Sequence, residues 1–353
     1  MKLTLLGGVA LFLIAQLGRA QPAQEWKLDL AQYGLKKSGC AWYPGHIEFL
    51  DDDHLVISAP VAYTCVKSDR DKTTDTRITE IDLQGHELAA IRRSDVAELK
   101  SGPIGYVTLC TGDRVELLSV NLQVARSIAL SGSGQSGGCN FGGALSPSRT
   151  AMAIWGPAKS HQLLLYQGSS SDPIADITMS KGQSFRAVAD DGFLVCTNGR
   201  KQCEVVGSKG VVRSFAMPEL AGSSGYDIVG LLGSDRLLVV SFDGKHLYAE
   251  TPTGETVFVG DVGKIRPPFV GGSNTQMSAA EPRRILYSVE GCLLGDFDDC
   301  YGVVFHRFAV FDSQTSRMLI RHSYAPGAEL KISPNGHIVM EQDGAAVHLF
   351  RLP

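Results

Sequence analysis

Helical periodicity is what this chain has least of. Beyond Trp26 no long stretch repeats its apolar residues at helical spacing, and only Asp95 to Lys100 could supply a turn. That argues against α-helical and α/β folds. After the first twenty residues, no apolar run reaches the ~20 needed to cross a bilayer as a helix. No basic block occurs either, which argues against nucleic acid and anionic membranes as partners. The eight cysteines include no C-x-x-C, and the nine histidines no H-x-H and no H-E-x-x-H. Zinc and thioredoxin-like readings thereby lose their main support.

Two motifs that look like chemistry fail on context. In Ser131 to Gly138, Gly132, Gly134 and Gly137 spell G-x-G-x-x-G, while Gly134 to Gly138 spell G-x-S-x-G. Both need a strand, a turn and then a helix, and the following "CNFGGALSPS" cannot be that helix. The stretch "EGCLLGDFDDC" (Glu290 to Cys300) looks like a calcium loop. Counted from Asp296, however, Cys300 stands where an EF-hand needs its third acid, and Arg307 stands where it needs its glutamate. Asp296, Asp298 and Asp299 remain a loose calcium candidate. No other cofactor is expected.

What is present begins with an address. Lys2, an apolar run from Leu3 to Leu17, and Gly18-Arg19-Ala20 have the layout of a cleaved signal peptide over residues 1–20. Export to the periplasm or the extracellular space is expected. Removing Lys2 and Arg19 from the 33 basic residues leaves 31 against 37 acids, a net charge of −6. In an oxidising compartment an even number of cysteines reads first as disulfides.

The rest of the chain, residues 21–353, is one repeated unit. "HIEFLDDDHLVISA", "FRAVADDGFLVCTNG" and "ELKISPNGHIVMEQDG" share a half-apolar strand, a tight polar turn and a strongly apolar strand. Two more strands follow most copies. First strands fall near Ile47, Glu98, Gly142, Phe185, Asp227, Gln276 and Glu329, at steps of 42 to 53 residues. That spacing predicts an all-β, seven-bladed β-propeller of four-stranded antiparallel blades. The blades are expected at about 45–93, 96–130, 140–179, 184–217, 226–262, 275–323 and 328–353. Only three strands fit in the last, so a strand at 25–31 is expected to close the ring and cover an open edge. Six or eight blades are the alternatives.

The "SPNG" turn before an apolar strand, in blade-sized repeats, resembles the bacterial WD40-like and YVTN-type propellers, and the chain is similar to exported propellers of acidobacteria. The Trp-Asp pairs of true WD40 repeats are missing, so no functional residue carries over.

With the strands of each blade lettered a to d outward from the axis, all eight cysteines fall on the face that carries the b–c loops and the connections between blades. The expected pairs are Cys40–Cys65, Cys110–Cys139, Cys196–Cys203 and Cys292–Cys300. The same face collects Trp42, Tyr43, Tyr63, Phe141, Trp155 and Tyr301, a candidate binding surface. The expected function is an exported monomeric module that binds a protein or small-molecule ligand. The rival is a propeller enzyme of lyase, lactonase or glycosidase type, which would need three or more ionisable groups converging at the channel mouth. The innermost strands offer few, with Glu48, Asp227 and Glu329 the exceptions.

Overall fold

The computed structural model describes residues 24–35, 45–61, 75–94, 96–111, 114–129, 144–155, 162–168, 170, 172–197, 202–215, 226–233, 235–241, 244–265, 272–277, 284–292 and 304–353. They form seven antiparallel sheets. Blade one holds β2 (His46–Phe49), β3 (His54–Pro60), β4 (Thr76–Asp82) and β5 (Glu87–Arg93). Blade two holds β6 (Val96–Ser101), β7 (Val107–Thr111), β8 (Arg114–Leu118) and β9 (Val124–Ala129). Blade three holds β10 (Ala151–Trp155), β11 (Gln162–Gln167) and β12 (Ala175–Thr178). Among the described residues its inner strand shows one bridge, Leu145 to Met152; Gly142 and Gly143, where that strand is expected to begin, lie outside them. Blade four runs β13 (Gln183–Val188), β14 (Phe193–Thr197), β15 (Gln202–Gly207) and β16 (Gly210–Phe215). Blade five runs β17 (Tyr226–Leu232), β18 (Arg236–Ser241), β19 (His246–Glu250) and β20 (Thr256–Asp261). Blade six comprises β21 (Gly272–Met277), β22 (Arg284–Cys292), β23 (Val304–Asp312) and β24 (Arg317–Ser323).

Blade seven is composite. β25 (Glu329–Ile332), β26 (Ile338–Asp343) and β27 (Ala346–Arg351) are joined on the outside by β1 (Gln24–Asp29), which pairs antiparallel with β27 from Gln24↔Arg351 to Asp29↔Ala346. One sheet thus contains both ends of the described chain, and the protein is a seven-bladed β-propeller.

Strand composition follows position in the blade. A second strand such as β18, "RLLVVS", is apolar on both sides because a neighbouring blade covers each face. Leu237 and Val239 pack toward blade four, while Leu238 and Val240 pack toward blade six. Outer strands such as β5 keep mostly exposed or half-exposed positions. The core is therefore divided into seven apolar clusters of described residues, one at each seam between blades. Packing can be very close. A Cβ placed on Gly260 of β20 would lie 2.4 Å from the Phe311 ring, so that seam admits no side chain there.

The turns between first and second strands are closed by their own side chains. Asp51 accepts the amides of Asp53 and His54, and Ser333 Oγ accepts the amide of Ile338. These turns share one end of the ring with the c–d turns. The b–c loops and the inter-blade connections share the other end, the loop face.

Candidate functional site

Ionisable groups do gather on the innermost strands, where blade seven meets blade one. Along β25, Leu330 and Ile332 enter the seam with blade six, so the alternation of a strand turns Glu329 and Lys331 toward blade one. Along β2, Ile47 and Phe49 enter the seam with blade seven, leaving Glu48 between them. The Lys331 ammonium lies 2.8 Å from Glu48 Oε1 and 3.1 Å from Glu329 Oε2, and donates to the Ile47 carbonyl at 2.6 Å. The second Glu48 oxygen accepts the Ser101 hydroxyl of blade two at 2.6 Å.

The electrostatics lock these charges. Burial alone would draw the Lys331 ammonium down, but Glu48 and Glu329 outweigh it and hold the group above its ordinary value. Burial would likewise push Glu329 up, yet Lys331, and His46 more weakly, hold it below the usual carboxylate range. Lys331 and Glu48 are both largely buried, at 15 % and 8 % side-chain exposure.

Beyond this cluster, toward the turn face, Arg149 reaches in from blade three and donates to the Ile332 carbonyl of blade seven at 3.1 Å. Its turn, Ser146-Pro147-Ser148-Arg149, is built like Ser333-Pro334-Asn335-Gly336. In each the fourth residue's amide bonds back to the first carbonyl, and the fourth φ is positive, +53° at Arg149 and +76° at Gly336. A non-glycine there costs roughly 1 kcal/mol. Burial lowers Arg149 from its ordinary value, while Glu48 and Asp52 oppose that drop. Asp52 in turn accepts the Asn335 amide and lies 2.8 Å from His337 Nδ1, adding a second tie between blades one and seven.

Of the expected inner-strand acids, Glu48 and Glu329 meet, while Asp227 lies exposed on β17 in blade five. Lys331, Ser101 and Arg149 were not singled out by the sequence. The only trace of Lys331 was a charge in the middle of an inner strand, "ELKI".

On the loop face, Cys196 and Cys203 are joined by a disulfide between directly opposed residues of β14 and β15, with Cα atoms 4.1 Å apart. Both are buried. Replacing the pair with alanine should lower stability by about 2 kcal/mol, as closing a loop this short implies, and a urea titration would measure it. Cys110 is buried on β7, but the other expected pairings involve Cys40, Cys65, Cys139, Cys292 and Cys300, whose side chains lie outside the described residues. Trp42, Tyr43, Tyr63, Phe141, Tyr301, Asp296, Asp298 and Asp299 also lie outside them, as do residues 1–20. Trp155 closes β10 at the loop-face end. Among the described residues no group of three His, Cys, Asp or Glu side chains is placed to hold a metal ion, and no helix is long and apolar enough to cross a membrane.

No protein-family model matches the sequence. No curated protein matches it either. Solved structures match the fold. A catalytically inactive virginiamycin B lyase from Staphylococcus aureus, solved with quinupristin, aligns over 94% of this chain and 100% of its own, at 14% identity and TM-score 0.50. A streptogramin B lyase aligns over 95% and 100%, at 13% identity and TM-score 0.50. The WD40 domain of Neurospora crassa Pan2 aligns over 95% and 97%, at 10% identity and TM-score 0.47. The chain shares its fold with the two lyases.

Proposed function

We propose that the chain is an exported binding propeller that presents a ligand- or partner-binding surface on its loop face, and that its channel is a structural axis. The kinship with exported acidobacterial propellers belongs to this reading. One observation carries it: the ammonium of Lys331 has three protons, and Glu48, Glu329 and the Ile47 carbonyl take all three. Three ionisable groups converge at the axis, as an enzyme would need, but they are spent on one another. A general acid or base works best with a proton affinity near the operating pH. Lys331 and Glu329 are pushed away from that range, one up and one down. The loop face, by contrast, carries the Cys196–Cys203 cross-link, which ties the loop-face ends of β14 and β15 together.

Photo-crosslinking in the producing cell tests this reading. Probes at the loop-face positions Val61, Lys245 and Lys264 should trap a discrete partner, and probes at Gln84, Lys209 and Glu255 on the turn face should not. A small-molecule ligand would register instead as protection of the loop-face probes from labelling. Hydrolysis or elimination on lactone or glycoside substrates that is abolished by Lys331→Met in a folded protein would establish the enzyme reading instead.

A further inference from the structure

The loop-face end of the seam between blades six and seven is polar where the rest is apolar. On β22 and β23, Leu286, Phe308 and Val310 pack into the seam core. Toward the loop face the same faces of these strands carry Glu290 and His306, which stand directly opposite each other in register. Tyr324 follows β24 and ties the group together. Its amide donates to the His306 carbonyl at 3.1 Å, its ring meets the imidazole edge-on at 5.3 Å, and its hydroxyl donates to Glu290 Oε1 at 3.0 Å. Burial, with Glu290 beside it, pushes that hydroxyl well above its ordinary value, so Tyr324 stays a donor. The next amide, Ala325, donates to Glu341 Oε1 of blade seven at 2.9 Å.

Several acceptors are left over. The His306 side chain is only 7 % exposed, and neither ring nitrogen makes a hydrogen bond; the nearer, Nδ1, is 3.5 Å from Glu290 Oε1. Glu341 Oε2 is buried without a donor, and the closest cationic candidate for it is His348 at 3.9 Å. Among the described residues neither Glu290 nor Glu341 has a lysine or arginine partner. With the ring proton of His306 on Nδ1, toward Glu290, its Nε2 becomes a lone pair. The unfilled set is then acceptors only, His306 Nε2 and Glu341 Oε2, with the Glu290 carboxylate beside them. Glu290, 38 % exposed, gives the set an opening to solvent.

A group that matches such a set brings N–H donors, positive charge and no acceptor of its own. Among side chains, only lysine and arginine combine these. A metal ion fits less well, because no three ligating side chains among the described residues are placed around one point. We propose that this seam binds an ammonium or guanidinium head, presented as a lysine or arginine side chain by the loop-face partner. The site rests on the binding reading above and deepens it.

The test is NMR on the full chain with nitrogen-labelled histidine, the His306 signal being identified by its loss in His306→Asn. Agmatine and the peptide acetyl-Gly-Arg-Gly-amide should both shift the His306 ring resonances saturably, while N-butylurea, a neutral analogue, should not. Glu341→Gln should weaken agmatine binding about tenfold, as loss of one charged hydrogen bond implies. Should that variant melt early, Glu290→Gln, whose carboxylate is partly in water, provides the same comparison. An unmoved His306 signal, or an equal shift with butylurea, overturns the site. Agmatine binding with the peptide excluded overturns the partner side chain in favour of a free amine. A trapped loop-face partner with no agmatine effect removes this site alone and leaves the binding reading standing.

Discussion

Replacing Lys331 with methionine should destabilise the fold by about 3–5 kcal/mol, the usual cost of leaving one member of a buried ion pair behind. The stranded group is Glu48, whose side chain is 8 % exposed and would keep one hydrogen bond, from the Ser101 hydroxyl, while still feeling the Arg149 charge. Glu329 is 52 % exposed and can return to water, so it adds little. The double variant Glu48→Leu with Lys331→Met should lie within about 1 kcal/mol of the parent, since an apolar pair of similar volume often replaces a buried ion pair at no loss. Thermal and urea unfolding of the three proteins would check this. A single variant as stable as the parent would mean that Glu48 is hydrated in the channel, and the blade one–seven tie would then be no ion pair at all. The pH dependence has a definite sign. Because Lys331 is raised, its contribution is intact below 10.5 and disappears as pH climbs through the raised value. Because Glu329 is depressed, its contribution is intact above 4.5 and disappears as pH falls through the lowered value.

The second large effect is expected at Glu250, where the fold carries a cost rather than a gain. This residue ends β19 on the face it shares with Tyr248, toward blade four, and neither carboxylate oxygen has a hydrogen-bond partner. It is 0% exposed, and burial pushes the carboxyl from 4.5 to about 7. Below pH 4.5 the group is neutral in both folded and unfolded chains and costs nothing on that account. Between 4.5 and 7 the unfolded chain ionises while the folded one cannot, so stability falls by about 3 kcal/mol and then levels off. Glu250→Gln keeps the shape and removes the titration. Its melting temperature relative to the parent should therefore rise on going from pH 4.5 to pH 8, by a margin of several degrees. A margin that stays constant across that range would show that Glu250 is ionised and paired inside the fold. A near-neutral carboxyl can signal catalysis, but one sealed from solvent has no substrate to reach, and burial alone accounts for its value.

Much of the architecture was legible in the chain. Strands such as "RLLVVS" announce two covered faces, and the Asp-Asp-Asp and Ser-Pro-Asn-Gly turns close themselves through local side chains. Both features act over a few residues, so linear order suffices to read them. The incomplete last unit also implied an outer strand from the other end, and β1 supplies it. In blade three "GGALS" reads as a strand, and its described part bridges to β10 at Leu145, just before the proline that closes it.

The candidate sites were far less legible. Glu48 and Glu329 stood out as rare acids on inner strands, but nothing local linked them to Lys331. Ile47 and Lys331 are 284 positions apart and touch only because the ring closes. His306, Tyr324 and Glu341 carry no signal in the sequence, since each is ordinary in its own strand or connection. What the sequence by itself determined is the repeating blade, its count and its closing strand, because periodic burial and turn chemistry are properties of neighbours in the chain. Only the tertiary structure decided which charges are neutralised, which acceptors are left unfilled and which carboxyl is sealed away. Those outcomes depend on the distance between groups on different blades, and on how much water the seam between them excludes.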